Sequence, residues 1–149
     1  MKHSGRIFEK INNLLTANYE AEKIYSEISR TASNESLKKF FRDRQIKRHE
    51  FNRVLIHEIK KHSIFPKSVS TLSDFNNKKQ GKIRGSKILN GGDHILFEVF
   101  RLKNESLNLY DGLLIEMSLP LSFCKALSKQ RDDIQAAIQI LARDEVNVY

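Results

Sequence analysis

The sequence predicts an all-α four-helix bundle with an up-down-down-up chain path. Two observations carry this. Four long stretches place apolar residues at alternating three- and four-residue spacing with no competing strand pattern, and the second and third stretches are separated by a 30-residue connection. A connection that long exceeds what adjacent antiparallel helices need, but it suits a crossover along the bundle that leaves helices two and three parallel. The 149 residues form one domain, enough to bury a core. Helices are expected over about 5–33, 35–62, 93–117 and 120–143, with the crossover over 63–92.

The first helix has a seam of Ile7, Ile11, Leu14, Ala21, Tyr25, Ile28 and Ala32. Its length implies about 40 Å. Ser33-Asn34-Glu35-Ser36 breaks and restarts the helix: Asn34 suits an N-cap, and Glu35 suits the positive end of the helix dipole. So short a link makes helices one and two antiparallel neighbours. The second seam reads Leu37, Phe40/Phe41, Phe51, Leu55 and Ile59. Within the crossover, 80–89 is expected to form a short helix. Asn90-Gly91-Gly92 is a loop signal and Asp93 an N-cap. The third seam is Ile95, Val99, Leu102, Leu109 and Leu113. Ser118-Leu119-Pro120 then turns the chain, with Pro120 opening the fourth helix. That helix has the seam Cys124, Leu127, Ile134, Ile138 and Leu141.

Each seam is interrupted near its midpoint. Polar residues stand there: Asn18 and Glu22; Arg44, Gln45 and Arg48; Lys103, Glu105 and Ser106; Gln130 and Arg131. Midpoints of similar-length helices lie at similar height, so these breaks are expected to meet in one central polar layer. A carboxylate in such a layer must pair, protonate or hold a metal, because burying it alone costs several kcal/mol. The expected solution is guanidinium–carboxylate pairing, with the fork of Arg48 or Arg131 satisfying Glu22 or Glu105.

The long crossover, the Glu22 to Tyr25 spacing, Asn104-Glu105 with Tyr110, Leu119-Pro120 and Gln130 resemble the ferritin-like superfamily. Within it they resemble an uncharacterised bacterial family of four-helix bundles. The resemblance covers about Ile7 to Leu141 and rests on the order of these weak motifs. It implies a ferritin-like fold and no established activity. Di-iron members of the superfamily use one Glu from each of two helices and Glu-x-x-His from each of the others. Glu22 and Glu105 match the first kind. The pairs are missing: Ile46 stands where a Glu would precede His49, and the fourth helix has no His. A metal would therefore find Glu22, Glu105 and at most His49, beside repelling cations, which is less than a hard-ligand site needs.

Other chemistry is poorly supported. Cys124, the one cysteine, excludes an internal disulfide and fits a reducing cytoplasm; its spacing with Leu121 and Leu127 marks a core thiol rather than a nucleophile. His57 and His62 are five residues apart and point about 140° from each other on a helix, so they do not share a metal. Tyr25 and Tyr110 read as core aromatics with hydroxyls reaching water. No phosphate-binding glycine loop or nucleophile elbow is present. Apolar runs such as Leu113-Leu114-Ile115 fall far short of the ~18 residues that span a membrane, and no signal peptide is apparent at the start.

The formal charge is +8, concentrated in residues 34–91, which hold 15 Lys/Arg against 5 Asp/Glu. Three functions follow as expectations. The first is a non-enzymatic ferritin-like bundle, stress-associated and homodimeric, with no cofactor and the polar layer in place of a metal centre; exposure of Phe97 and Phe100 would favour self-association. The second is an iron or manganese redox or storage protein using Glu22, His49 and Glu105. The third is a polyanion or nucleic-acid binder using Lys38, Lys39, Arg42, Lys47, Lys60 and Lys61 with Lys78, Lys79, Lys82, Arg84 and Lys87.

Overall fold

A computed structural model describes the backbone over residues 2–64 and 92–148 and side chains over 5–64 and 95–141. Four helices make up the described chain: α1 Lys2–Thr31, α2 Glu35–Lys61, α3 Gly92–Leu114 and α4 Leu121–Val148. The expected crossover and its short helix at 80–89 lie outside the described residues, apart from the crossover's ends. Among the described residues there is no strand.

The helix ends follow their local chemistry. Asn34 caps α2, its Oδ1 accepting from the backbone N–H of Ser36 and Leu37 at 2.8 and 3.2 Å. At the other end Ser63 adopts φ 50°, and Ile64 N–H reaches Ile59 O while Ser63 N–H reaches Lys60 O. That is a Schellman closure made with serine rather than glycine, and Ile64 packs onto the core to fasten it. Pro120 lies one residue before α4, where its carbonyl accepts from Cys124 N–H. Two boundaries differ from expectation. α3 stops at Leu114 instead of continuing to 117, because the chain turns to bring Glu116 back against α1. α4 runs on to Val148.

Cross-helix contacts define the topology. Asn18 meets Asn52 and Glu22 meets His49, so α1 and α2 are antiparallel. Arg6 and Lys10 meet Glu116 while Glu20 meets Arg101, so α1 and α3 are antiparallel too. Arg44 with Asp133 and His62 with Ser122 set α2 against α4 in the same sense, and Tyr110 with Gln130 joins α3 to α4. Every neighbour is antiparallel; α2 and α3 are parallel and sit on a diagonal. This is the up-down-down-up bundle.

The core divides in two. One cluster, around Ile11, Leu14, Leu55, Tyr110, Leu113 and Leu127, fills the end where α1 begins. The other, around Ile24, Tyr25, Ile28, Phe41, Val99 and Ile138, fills the opposite end. Between them lies the polar material that interrupts each seam.

Candidate functional site

At mid-height α1 presents Asn18, α2 presents Arg48 and Asn52 one turn apart, α3 presents Ser106 and Tyr110 one turn apart, and α4 presents Gln130. All six are buried. A residue and its i+4 neighbour share a helix face, so α2 and α3 each contribute two groups to the same interior space. Arg48 Nη1 donates to Asn18 Oδ1 at 2.6 Å and to Ser106 Oγ at 3.0 Å. Asn18 Nδ2 donates to Asn52 Oδ1 at 3.0 Å and more loosely to the Tyr110 hydroxyl at 3.3 Å. Asn52 Nδ2 donates to Leu15 O, the Tyr110 hydroxyl to Gln130 Oε1 at 2.6 Å, and Gln130 Nε2 to Phe51 O. One continuous network thus joins all four helices.

Its electrostatics are unusual. Arg48 is 1% exposed. Its guanidinium carbon sits 5.8 Å from the centroid of the Tyr25 ring, whose π-face gives partial relief to the cation. Nε and Nη2 are buried and have no hydrogen-bond acceptor. Burial pushes the Tyr110 hydroxyl up to about 12, against the opposing pull of Arg48 and the hydrogen bond from Asn18.

The expected layer residues do not all converge. Asn18, Arg48, Ser106 and Gln130 come together. Arg44 is buried toward the α2/α4 edge, 2.8 Å from Asp133. Gln45 and Lys103 are half-buried. Glu22 lies in the α1/α2 groove with its carboxylate 3.2 Å from Nδ1 of the exposed His49. Glu105 is exposed and takes a hydrogen bond from Arg101 at 2.8 Å. Arg131 clasps Asp111. The expected pairing of Arg48 or Arg131 with Glu22 or Glu105 therefore does not occur. Glu22, Glu105 and Arg131 are long enough to turn to the rims, where solvation costs less than burial, and Arg48 alone among the charged members stays at the centre with small neutral groups around it.

Tyr110 also departs from expectation, its hydroxyl being buried and doubly hydrogen-bonded rather than wet. Asn52 was not foreseen. Its signal was its i+4 spacing from Arg48, masked by the apolar Phe51 beside it. Cys124 is half-buried, and Phe123 takes the core position predicted for it. Of the expected exposed pair, Phe97 is exposed while Phe100 packs on the core. Within the basic face, Lys38 lies 3.7 Å from Glu35 and Lys47 3.8 Å from Asp133, which partly neutralises it. Lys78, Lys79, Lys82, Arg84 and Lys87 lie outside the described residues.

The central donor set does not suit a divalent metal. It consists of amides, a hydroxyl and a phenol around a fixed cation, and hard metals prefer several anionic oxygens. Glu22 and His49 line one groove, and Glu105 lies on another rim. Among the described residues, no group of three His, Cys, Asp or Glu side chains is arranged to hold a metal ion. No described helix is long and apolar enough to cross a membrane.

Outside the layer, α2 and α4 border an open furrow. One part, of about 690 Å³, is lined by residues including Ile46, Lys47, Glu50, Val54, Lys129 and Gln130. A second part, of about 480 Å³, continues from Val54 and Ala126 to His57, Glu58 and Ser122. Gln130 belongs both to the furrow wall and to the central network.

A family model described as a domain of unknown function, DUF2383, matches residues 6–115, taking in most of α1 and all of α2 and α3. No curated protein and no solved structure matches the chain. Since the match spans well over half of the 149 residues, the chain belongs to the DUF2383 family.

Proposed function

We propose that this protein is a non-enzymatic bundle of ferritin-like descent that acts through association with other molecules in a stress-associated role. In this reading its central polar layer replaces a di-iron centre. The observation that carries the reading is Arg48, a fully buried guanidinium held by Asn18 and Ser106 at the height where such a centre would lie. A fixed positive charge there opposes a divalent cation, and the carboxylates that would answer a metal are engaged at the rims. The up-down-down-up path supports the ferritin-like affiliation. The test is to load purified protein anaerobically with ferrous iron or manganese, remove excess metal, and measure content and oxidation rate. Sub-stoichiometric metal and no catalysed oxidation are expected; two tightly held ions per chain would reject the reading.

Self-association through the α2/α4 furrow is the second part of the proposal. Ile46 is 56% and Val54 40% exposed there. The occupant is a second copy placed antiparallel, since Lys47 and Glu50, three residues apart on one face, would meet Glu50 and Lys47 of the other copy. Sedimentation equilibrium should give a dimer that Ile46→Glu dissociates; a monomer at all concentrations would sink it.

A further inference from the structure

Among the described residues no carboxylate answers the charge of Arg48. Nη1 is held by two neutral oxygens, Asn18 Oδ1 and Ser106 Oγ. Nε and Nη2 are buried without acceptors, and among the described residues no carboxylate pairs with the guanidinium. Buried charges in folded proteins are normally paired, because desolvating one alone is costly.

The two unanswered groups are the pair that forms the side-on edge of the guanidinium plane. Elsewhere in this protein that same edge closes on a carboxylate: Arg53 Nε and Nη2 on Glu50, Arg101 Nε and Nη2 on Glu98, and Arg131 Nε and Nη2 on Asp111. Two parallel N–H donors match two oxygens of a planar anion. Arg48 alone of these four is buried, and among the described residues it alone presents the edge with no acid against it.

We propose that the Nε–Nη2 edge of Arg48 is a binding site for a small planar monovalent oxyanion of the carboxylate type, such as formate or acetate. The inference rests on the metal-free reading of the polar layer given above and names what that layer holds. One negative charge neutralises the site. Asn18 and Ser106 fix the guanidinium plane by its other end, so the edge is preorganised and the anion adds two charge-assisted hydrogen bonds. The tightly packed clusters on either side restrict the ligand to a few heavy atoms.

The test uses the full chain in a buffer whose only anions are large organic sulfonates, titrated with sodium formate. Calorimetry is expected to show one formate per chain. The Tm should rise with the logarithm of formate concentration once this exceeds the dissociation constant, by roughly 3–5 °C at tenfold excess over it. Arg48→Met, which removes the charge at similar volume, should show no heat and only the linear response of a general salt effect. Should that variant fail to fold, the Arg48 Nε–H resonance of the unaltered protein gives a second readout, expected to shift saturably with formate. Absence of heat together with an unmoved resonance overturns the anion site. Metal content measured on the same samples separates the failures: metal-free protein indifferent to formate rejects this inference alone, and stoichiometric metal rejects the proposed function as well.

Discussion

The hydroxyl of Tyr110 donates to Gln130 Oε1 across 2.6 Å and accepts from Asn18 Nδ2 at 3.3 Å. A single phenol oxygen on α3 therefore links α1 to α4, two helices that face each other across the bundle diagonal. It does so in a volume from which water is largely excluded. Removing such a group leaves its partners unsatisfied in a low-dielectric interior, where the loss is felt most.

Tyr110→Phe should lower unfolding free energy by about 1–3 kcal/mol with helix content unchanged, because Gln130 Oε1 is left buried without its donor and Asn18 Nδ2 loses one of its two acceptors. Urea denaturation followed by circular dichroism measures this. A second substitution, Gln130→Leu, should cost less in the Tyr110→Phe background than alone. Additive losses would show that the two side chains are not coupled.

The same hydroxyl predicts an alkaline limit. Its folded value, about 12, lies above the ordinary value of 10.0, so the folded state favours the protonated phenol. The stabilisation is complete below pH 10 and is lost as pH rises toward 12, with a slope approaching about 1.4 kcal/mol per pH unit. Stability measured from pH 9 to 12 should fall more steeply for the unaltered protein than for Tyr110→Phe. Parallel curves would remove Tyr110 as the cause.

Arg48→Ala and Arg48→Met should part company. The alanine variant creates a cavity and strands Asn18 and Ser106, and should lose about 2–4 kcal/mol. The methionine variant fills most of the volume without a buried charge, and should stay within about 1 kcal/mol of the parent or exceed it. Thermal melts of the two variants in the same buffer decide the point.

Arg101 holds Glu20, Glu98 and Glu105 together at the α1/α3 groove. Arg101→Gln releases three neighbouring carboxylates. At low ionic strength the loss should be about 1 kcal/mol, shrinking in 1 M salt as their repulsion is screened. A salt-independent loss would point to packing instead.

At the end of the bundle where α1 begins, Lys10 and Arg6 hold the Glu116 carboxyl below its ordinary range. Its contribution is present above pH 4.5 and lost as pH falls below it. Glu116→Gln should therefore flatten part of the acid-side decline in stability. An unchanged acid limb would show that the pair contributes nothing to folding.

Read alone, the residue pattern was enough for four helices, their order, the Asn34 cap, and the diagonal placement implied by one long connection. Periodicity and caps are local properties, and they survive without knowledge of the neighbours. The presence of mid-helix polar breaks was legible for the same reason. Which of those polar groups go inside was decided only by the packed helices. Glu22, Glu105 and Arg131 have long side chains that rotate to the rims, whereas Asn18, Ser106 and Gln130 are too short to escape the seam they occupy. Asn52 and the Tyr110 hydroxyl joined the network because helices α2 and α3 each carry a second polar residue one turn on, a relation that matters only once four helices enclose a common space. Arg48 shows the difference most plainly: its position on the seam is written in the spacing, but that no carboxylate of the described residues stands beside it is decided by the packing, which leaves Glu22 and Glu105 at the rims.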